Sequence, residues 1–190
     1  MPTPVLTIAN QLTILRMALS PALVLSLAWG RFGWALVAFL TAGLTDLLDG
    51  LFARYGGQKT ALGAMLDPVA DKILLGSTFV ALTWNSAVTI PIPVWLTVLT
   101  LSRDAVIVVA VVVINLVGER RVFFPSALGK ISTALQLVTA GVVIVLNWLG
   151  MRVSALELLF LLTVLFTVAS GVHYLYLTSA HVKMAHGSRS

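Results

Sequence analysis

Six predominantly apolar stretches of 18 to 25 residues follow one another along this chain: Leu12–Trp29, Phe32–Arg54, Ala61–Trp84, Pro93–Val117, Ser126–Leu149 and Ala155–Tyr176. Each is long enough to cross a bilayer as a helix. In lipid the backbone N–H and C=O groups must be satisfied internally, which favours helices for segments of this length. The linkers are short, so consecutive helices run antiparallel. The predicted fold is therefore an all-α integral membrane protein, a six-transmembrane-helix bundle over residues 1–182 with a mobile tail at 183–190. Composition supports this: only 10% of residues are charged, against about 25% in soluble domains.

The net charge of +5 invites a nucleic-acid reading, but the basic residues lie at helix ends. They fit a lipid surface instead, with no nucleic acid as partner. Arg54, Lys59, Arg120, Arg121, Lys183 and Arg189 collect on one side, while Arg31 and Arg152 alone mark the other. By the positive-inside rule both termini are cytoplasmic, with the site facing the cytoplasm from the inner (plasma) membrane. The N-terminus MPTPVLTIANQLT lacks a basic leader and carries Arg16 in its first apolar run, so it is expected to be retained. With no cysteine there is no disulfide and no thiolate metal site.

Four of the seven acidic residues fall between Asp46 and Asp71. At 100° per residue, Asp46, Asp49, Gly50 and Ala53 share one helical face, and Gly63, Asp67 and Asp71 form a stripe on the next helix. Asp49 and Asp67 lie roughly 8 to 9 Å from the cytoplasmic turn YGGQKT, and Asp46 and Asp71 roughly 12 to 15 Å. The short turn makes the helices antiparallel neighbours, so the carboxylates meet in the inner leaflet. Such a cluster needs a cation, and Arg54 and Lys72 are basic residues close in sequence. Hard oxygen ligands suit Mg²⁺, Mn²⁺ or Ca²⁺ rather than zinc. Two such ions can clamp a pyrophosphate. The competing reading is a divalent-cation transporter using the same intramembrane acids.

The full spacing is Asp46-x2-Asp49-Gly50-x2-Ala53-Arg54-x8-Gly63-x3-Asp67-x3-Asp71. It resembles, without departure, the signature of the CDP-alcohol phosphatidyltransferase family. The resemblance implies transfer of a phosphatidyl group from CDP-diacylglycerol to an alcohol, releasing CMP, in a homodimer using two Mg²⁺ or Mn²⁺ ions. It also implies roles. Asp46, Asp49, Asp67 and Asp71 would hold the metals, with Asp71 also the general base. Gly50, Ala53, Arg54 and Gly63 would line the CDP pocket.

LDPVADK and NQLTILR, the latter with Asn10, Thr13 and Arg16, are similar to motifs of the phosphatidylglycerophosphate synthase and cardiolipin synthase branches. Glycerol-3-phosphate is the favoured acceptor, with Arg103, Lys130, Arg120 and Arg121 as candidates to bind it. Two departures favour the alternative acceptor, phosphatidylglycerol. Ser132 stands where glycerophosphate enzymes often carry a second lysine, and Arg103-Asp104 looks closer to the cardiolipin branch. Because adjacent helical residues diverge by 100°, Arg103 and Asp104 are expected to find separate partners.

Overall fold

The computed structural model describes the backbone of residues 8–56, 61–116 and 127–187, and the side chains of 11–46, 48, 69–109 and 127–176. The described residues form six helices and no strand: α1 (Ile8–Ala28), α2 (Phe32–Gly56), α3 (Ala61–Trp84), α4 (Val94–Leu116), α5 (Ala127–Leu149) and α6 (Ala155–Gly187). Their bounds follow the six apolar stretches closely. The difference is α6, which continues as helix past Tyr176 and into the segment expected to be a tail. Gln11–Ala28, Ala127–Leu149 and Ala155–Tyr176 are long and apolar enough to cross a membrane, and α2 adds a shorter apolar segment, Phe32–Asp46.

Burial differs from that of a soluble protein, in that many polar side chains are enclosed and many large apolar ones are exposed. Thr13, Arg16, Ser20, Thr78, Ser132, Gln136 and Thr167 are enclosed, while Leu40, Leu44, Leu158, Leu161, Leu165 and Val172 are exposed. In water that arrangement would strand apolar surface; in lipid it is the low-energy choice, because polar side chains bond one another inside the bundle. Trp29, Trp84 and Trp148 are also exposed and lie near helix ends, where amphipathic rings suit the interface; Tyr176, exposed as well, closes the apolar part of α6 rather than the helix itself.

Two helix ends stop on glycines in the left-handed region, Gly30 (φ 68°) and Gly150 (φ 65°). After α1, Arg31 N–H donates to Ser26 O at 2.8 Å and Gly30 N–H to Leu27 O at 3.0 Å, the paired bonds of a Schellman cap. After α5, Met151 N–H reaches back to Leu146 O at 3.1 Å. Both caps satisfy carbonyls that a helix end leaves open, at a φ that a residue with a Cβ resists.

The chain divides into two compact units. The first holds α1, α2, α3 and the segment Ala140–Arg152. Within it α1 packs against both α2 and α3, over a core that includes Leu23, Leu27, Ala35, Phe39, Phe79, Leu82 and Ile144. Asn147 ties this segment to the stretch after α3. Its Oδ1 accepts from Thr89 N–H (2.9 Å) and Ile90 N–H (3.0 Å), and its Nδ2 donates to Ile90 O (3.0 Å) and Val143 O (2.8 Å).

The second unit holds α4, α6 and α5 up to Thr139. Its seam is polar. Ser132 Oγ lies 3.2 Å from Thr167 Oγ1, Gln136 Nε2 donates to both, and Thr139 Oγ1 lies 2.7 Å from Thr163 Oγ1. The α5 positions fall at i, i+4, i+7 and the α6 positions at i, i+4, so one face of α5 zips to one face of α6.

Candidate active site

The site begins on α1. Thr13, Arg16, Ser20, Leu23 and Leu27 recur every three or four residues and are all buried, so they form the stripe that α1 turns into its unit. Its polar half carries Arg16, fully enclosed. A guanidinium in that position must meet anions. It meets two, from two other helices: Nη1 lies 2.5 Å from Asp71 Oδ1 on α3, and Nη2 lies 3.1 Å from Asp46 Oδ1 on α2. The Asp71 contact is a hydrogen bond. The Asp46 contact has ion-pair distance without the alignment, and Nη2 has no hydrogen-bond partner among the described residues. The carboxylates themselves are about half exposed, at 49% for Asp46 and 45% for Asp71.

Asp46 and Asp71, expected at a common depth on neighbouring helices, thus share one cation. That cation, Arg16, belongs to the NQLTILR motif expected near the mouth of the site, but its pairing with these carboxylates is not among the sequence expectations. Arg54 and Lys72 were singled out because they are near in sequence, whereas Arg16 arrives from 30 residues before Asp46 and 55 before Asp71. A signal existed: Thr13, Arg16 and Ser20 are polar positions at helical spacing in an otherwise apolar run.

The other predicted positions are placed less fully. Asp49, Gly50, Ala53 and Arg54 lie on α2, and Gly63 and Asp67 on α3, with side chains outside the described residues. Arg120 and Arg121 lie outside them altogether. Among the described residues no group of three or more His, Cys, Asp or Glu stands together. The described half of the proposed ligand set nevertheless suits a hard divalent cation. Two carboxylates from different helices converge closely enough for one positive group to touch both, and both remain accessible.

In the second unit Arg103 corrects the expectation of separate partners. Its Nη1 donates to Asp104 Oδ1 at 2.7 Å and its Nη2 to Ser170 Oγ at 2.8 Å. The Cβ directions do diverge, but the arginine stem is long enough to bring the guanidinium round to the next residue. That stem lies over Gly171, where a Cβ would meet Arg103 Cγ at 3.5 Å. Lys130, in the first turn of α5, is exposed.

The family model for CDP-alcohol phosphatidyltransferases matches residues 6–171. A probable phosphatidylglycerophosphate synthase of Mycobacterium tuberculosis is 36% identical over 176 residues, covering 88% of this chain and 79% of the relative. The human cardiolipin synthase (CMP-forming) is 37% identical over 148 residues, 70% of this chain and 48% of the relative. The CDP-diacylglycerol–glycerol-3-phosphate 3-phosphatidyltransferase of Bacillus subtilis is 30% identical over 182 residues, 87% of this chain and 91% of the relative. The match sets the transporter reading aside, and the family is generally dependent on divalent metal. A family match that runs from α1 to α6, and so contains every carboxylate of the 46–71 cluster, makes this chain a member of the CDP-alcohol phosphatidyltransferase family, an integral membrane enzyme of phospholipid synthesis.

Proposed function

We propose that this enzyme transfers the phosphatidyl group of CDP-diacylglycerol to glycerol-3-phosphate, forming phosphatidylglycerophosphate and CMP. The observation that carries this reading is the convergence of Asp46 and Asp71, from two helices, inside the family-matched region. Two Mg²⁺ or Mn²⁺ ions held by Asp46, Asp49, Asp67 and Asp71 would supply charge neutralisation at the pyrophosphate. Asp71 takes the proton of the acceptor hydroxyl, whose oxygen forms a bond to the phosphatidyl phosphorus. The bond from that phosphorus to the CMP oxygen breaks, and CMP leaves with the electron pair. Gly50, Ala53 and Gly63 let the nucleotide approach the backbone, and Arg54 pairs with phosphate.

The acceptor assignment leans on the Mycobacterium and Bacillus relatives, both of which align over most of their own length. The second reading is phosphatidylglycerol as acceptor. It is supported by the cardiolipin synthase relatives and by Ser132, a buried hydroxyl bonded to Thr167 and Gln136 where glycerophosphate enzymes often carry a lysine. Purified protein with CDP-diacylglycerol, Mn²⁺ and both acceptors in competition decides between them. Phosphatidylglycerophosphate is the expected product. Cardiolipin alone would overturn the acceptor and leave the family standing.

Arg103, Lys130, Arg120 and Arg121 are proposed to supply positive charge for the acceptor phosphate. Arg103→Met or Lys130→Met is expected to raise the acceptor KM roughly tenfold, the loss of one charge-assisted hydrogen bond, with a smaller change in the donor KM. Equal changes in both constants would remove these residues from the acceptor site.

We also propose six membrane spans in a homodimer, with both termini and the site facing the cytoplasm from the inner membrane. The chain has no native cysteine, so a Ser190→Cys variant gives a clean accessibility test. In intact cells an impermeant thiol reagent is expected to leave it unlabelled until the membrane is opened. Labelling in intact cells would reverse the topology.

A further inference from the structure

A buried arginine that serves only as framework has its five N–H donors taken up by carbonyls and fixed side chains. Arg16 is bonded differently. It is fully enclosed, yet among the described residues its side chain donates a single hydrogen bond, from Nη1 to Asp71. Its Nε and Nη2 have no hydrogen-bond partner among the described residues. What holds it is charge: one oxygen of Asp71 and one oxygen of Asp46. These are two of the carboxylates assigned above to the metal ions, and both are about half exposed while the guanidinium is not.

We infer that Arg16 is a resident, displaceable counter-ion of the site: it occupies Asp46 and Asp71 until a divalent cation binds there, and the two compete for the same carboxylates. The inference rests on the metal-ligand reading proposed above. Its physical basis is that a guanidinium in contact with a carboxylate oxygen and a divalent ion on the same carboxylate repel each other, strongly so where water is scarce. A framework of carbonyls would hold the arginine through such a challenge. Among the described residues Arg16 has only the two anions, so its hold weakens when the ion claims them.

The test is Mn²⁺ binding to chelator-treated, full-length protein in detergent without substrate, followed by the electron paramagnetic resonance signal of free Mn²⁺. Removing the competitor in Arg16→Met is expected to tighten Mn²⁺ binding about tenfold or more, while Arg16→Lys, which keeps the charge, stays near wild type. Affinity that is unchanged or weaker in Arg16→Met would overturn the inference, because a bystander leaves binding alone and a ligand-organising residue weakens it when lost. Asp46→Asn and Asp71→Asn separate the two readings. If neither weakens Mn²⁺ binding, the metal-ligand reading fails and the competition falls with it. If both weaken it while Arg16→Met does not tighten it, only the counter-ion inference fails.

Two further measurements guard against a variant that folds poorly. In wild type, Mg²⁺ titration is expected to move the Nε resonance of Arg16 in arginine-labelled protein, identified by its loss in Arg16→Lys. A resonance that ignores saturating Mg²⁺ overturns the inference. In chelator, Asp71→Asn is expected to lower the thermal midpoint by several degrees with Arg16 present, because a buried charge loses its partner. It is expected to have little effect alongside Arg16→Met. Equal losses in the two backgrounds would show that Arg16 is not held by this carboxylate.

Discussion

Asp71→Asn is expected to lower the rate of CMP release by roughly 10²- to 10⁴-fold, the range that general-base catalysis contributes. Asparagine keeps the size of the side chain and one oxygen acceptor, but it cannot take the acceptor's proton, and its neutral amide is a poor metal ligand. Affinity for CDP-diacylglycerol should fall much less, because Asp46, Asp49 and Asp67 would still hold part of the metal site. The informative comparison is single-turnover CMP release against equilibrium binding of the donor lipid. Wild-type turnover in Asp71→Asn would remove Asp71 from the chemistry. Losses of the same size in both measurements would make it a binding group and leave the base elsewhere. Arg16 adds a control, since Asp71→Asn also takes away the one hydrogen-bond partner that its side chain has among the described residues. The thermal midpoint must therefore be recorded beside the rate, so that unfolding is not read as lost catalysis.

Asn147→Leu is expected to destabilise the protein by about 2–4 kcal/mol and lower its thermal midpoint by roughly 5–12 °C. One amide here makes four hydrogen bonds, to Thr89 N–H, Ile90 N–H, Ile90 O and Val143 O. Leucine matches it in size and satisfies none of them. Val143 O is a helix carbonyl with its ordinary partner, but the three groups on Thr89 and Ile90 depend on the amide. Asn85 extends the fastening, donating from Nδ2 to Leu27 O at 2.7 Å and accepting from Ala87 N–H at 2.9 Å. Together they bind the stretch after α3 to the ends of α1 and α5. The consequence reaches the site through register: α3 carries Asp71, and α1 carries Arg16, on helices held at their far ends by these two asparagines. Asn147→Asp separates the contributions, because it keeps the acceptor for Thr89 and Ile90 while setting a carboxylate against two carbonyls. An unchanged midpoint in Asn147→Leu would show that water replaces the amide without cost.

Helix positions, and the placing of the 46–71 carboxylates on two consecutive helices, were legible in the sequence because both follow from local rules. A membrane segment must satisfy its own backbone, so its length and apolar content mark it directly. A stripe such as Gly63, Asp67 and Asp71 needs only the helical repeat to bring its members to one face. Partner choice is a different matter. Arg16 pairs with Asp46 and Asp71 because α1 packs against both α2 and α3, and no spacing within α1 reveals which helices it will touch. Arg103 pairs with its neighbour Asp104 and with Ser170 because a long stem can turn against the direction of its Cβ, and Ser170 comes from α6, 67 residues further along the chain. Asn147 reads as an ordinary polar residue near a helix end until Thr89 and Ile90 arrive to meet its amide. Periodicity assigns a residue to a face, and the sequence alone settled that much. Which charge meets which, across tens of residues, is set by how the faces pack, and only the tertiary structure decided it.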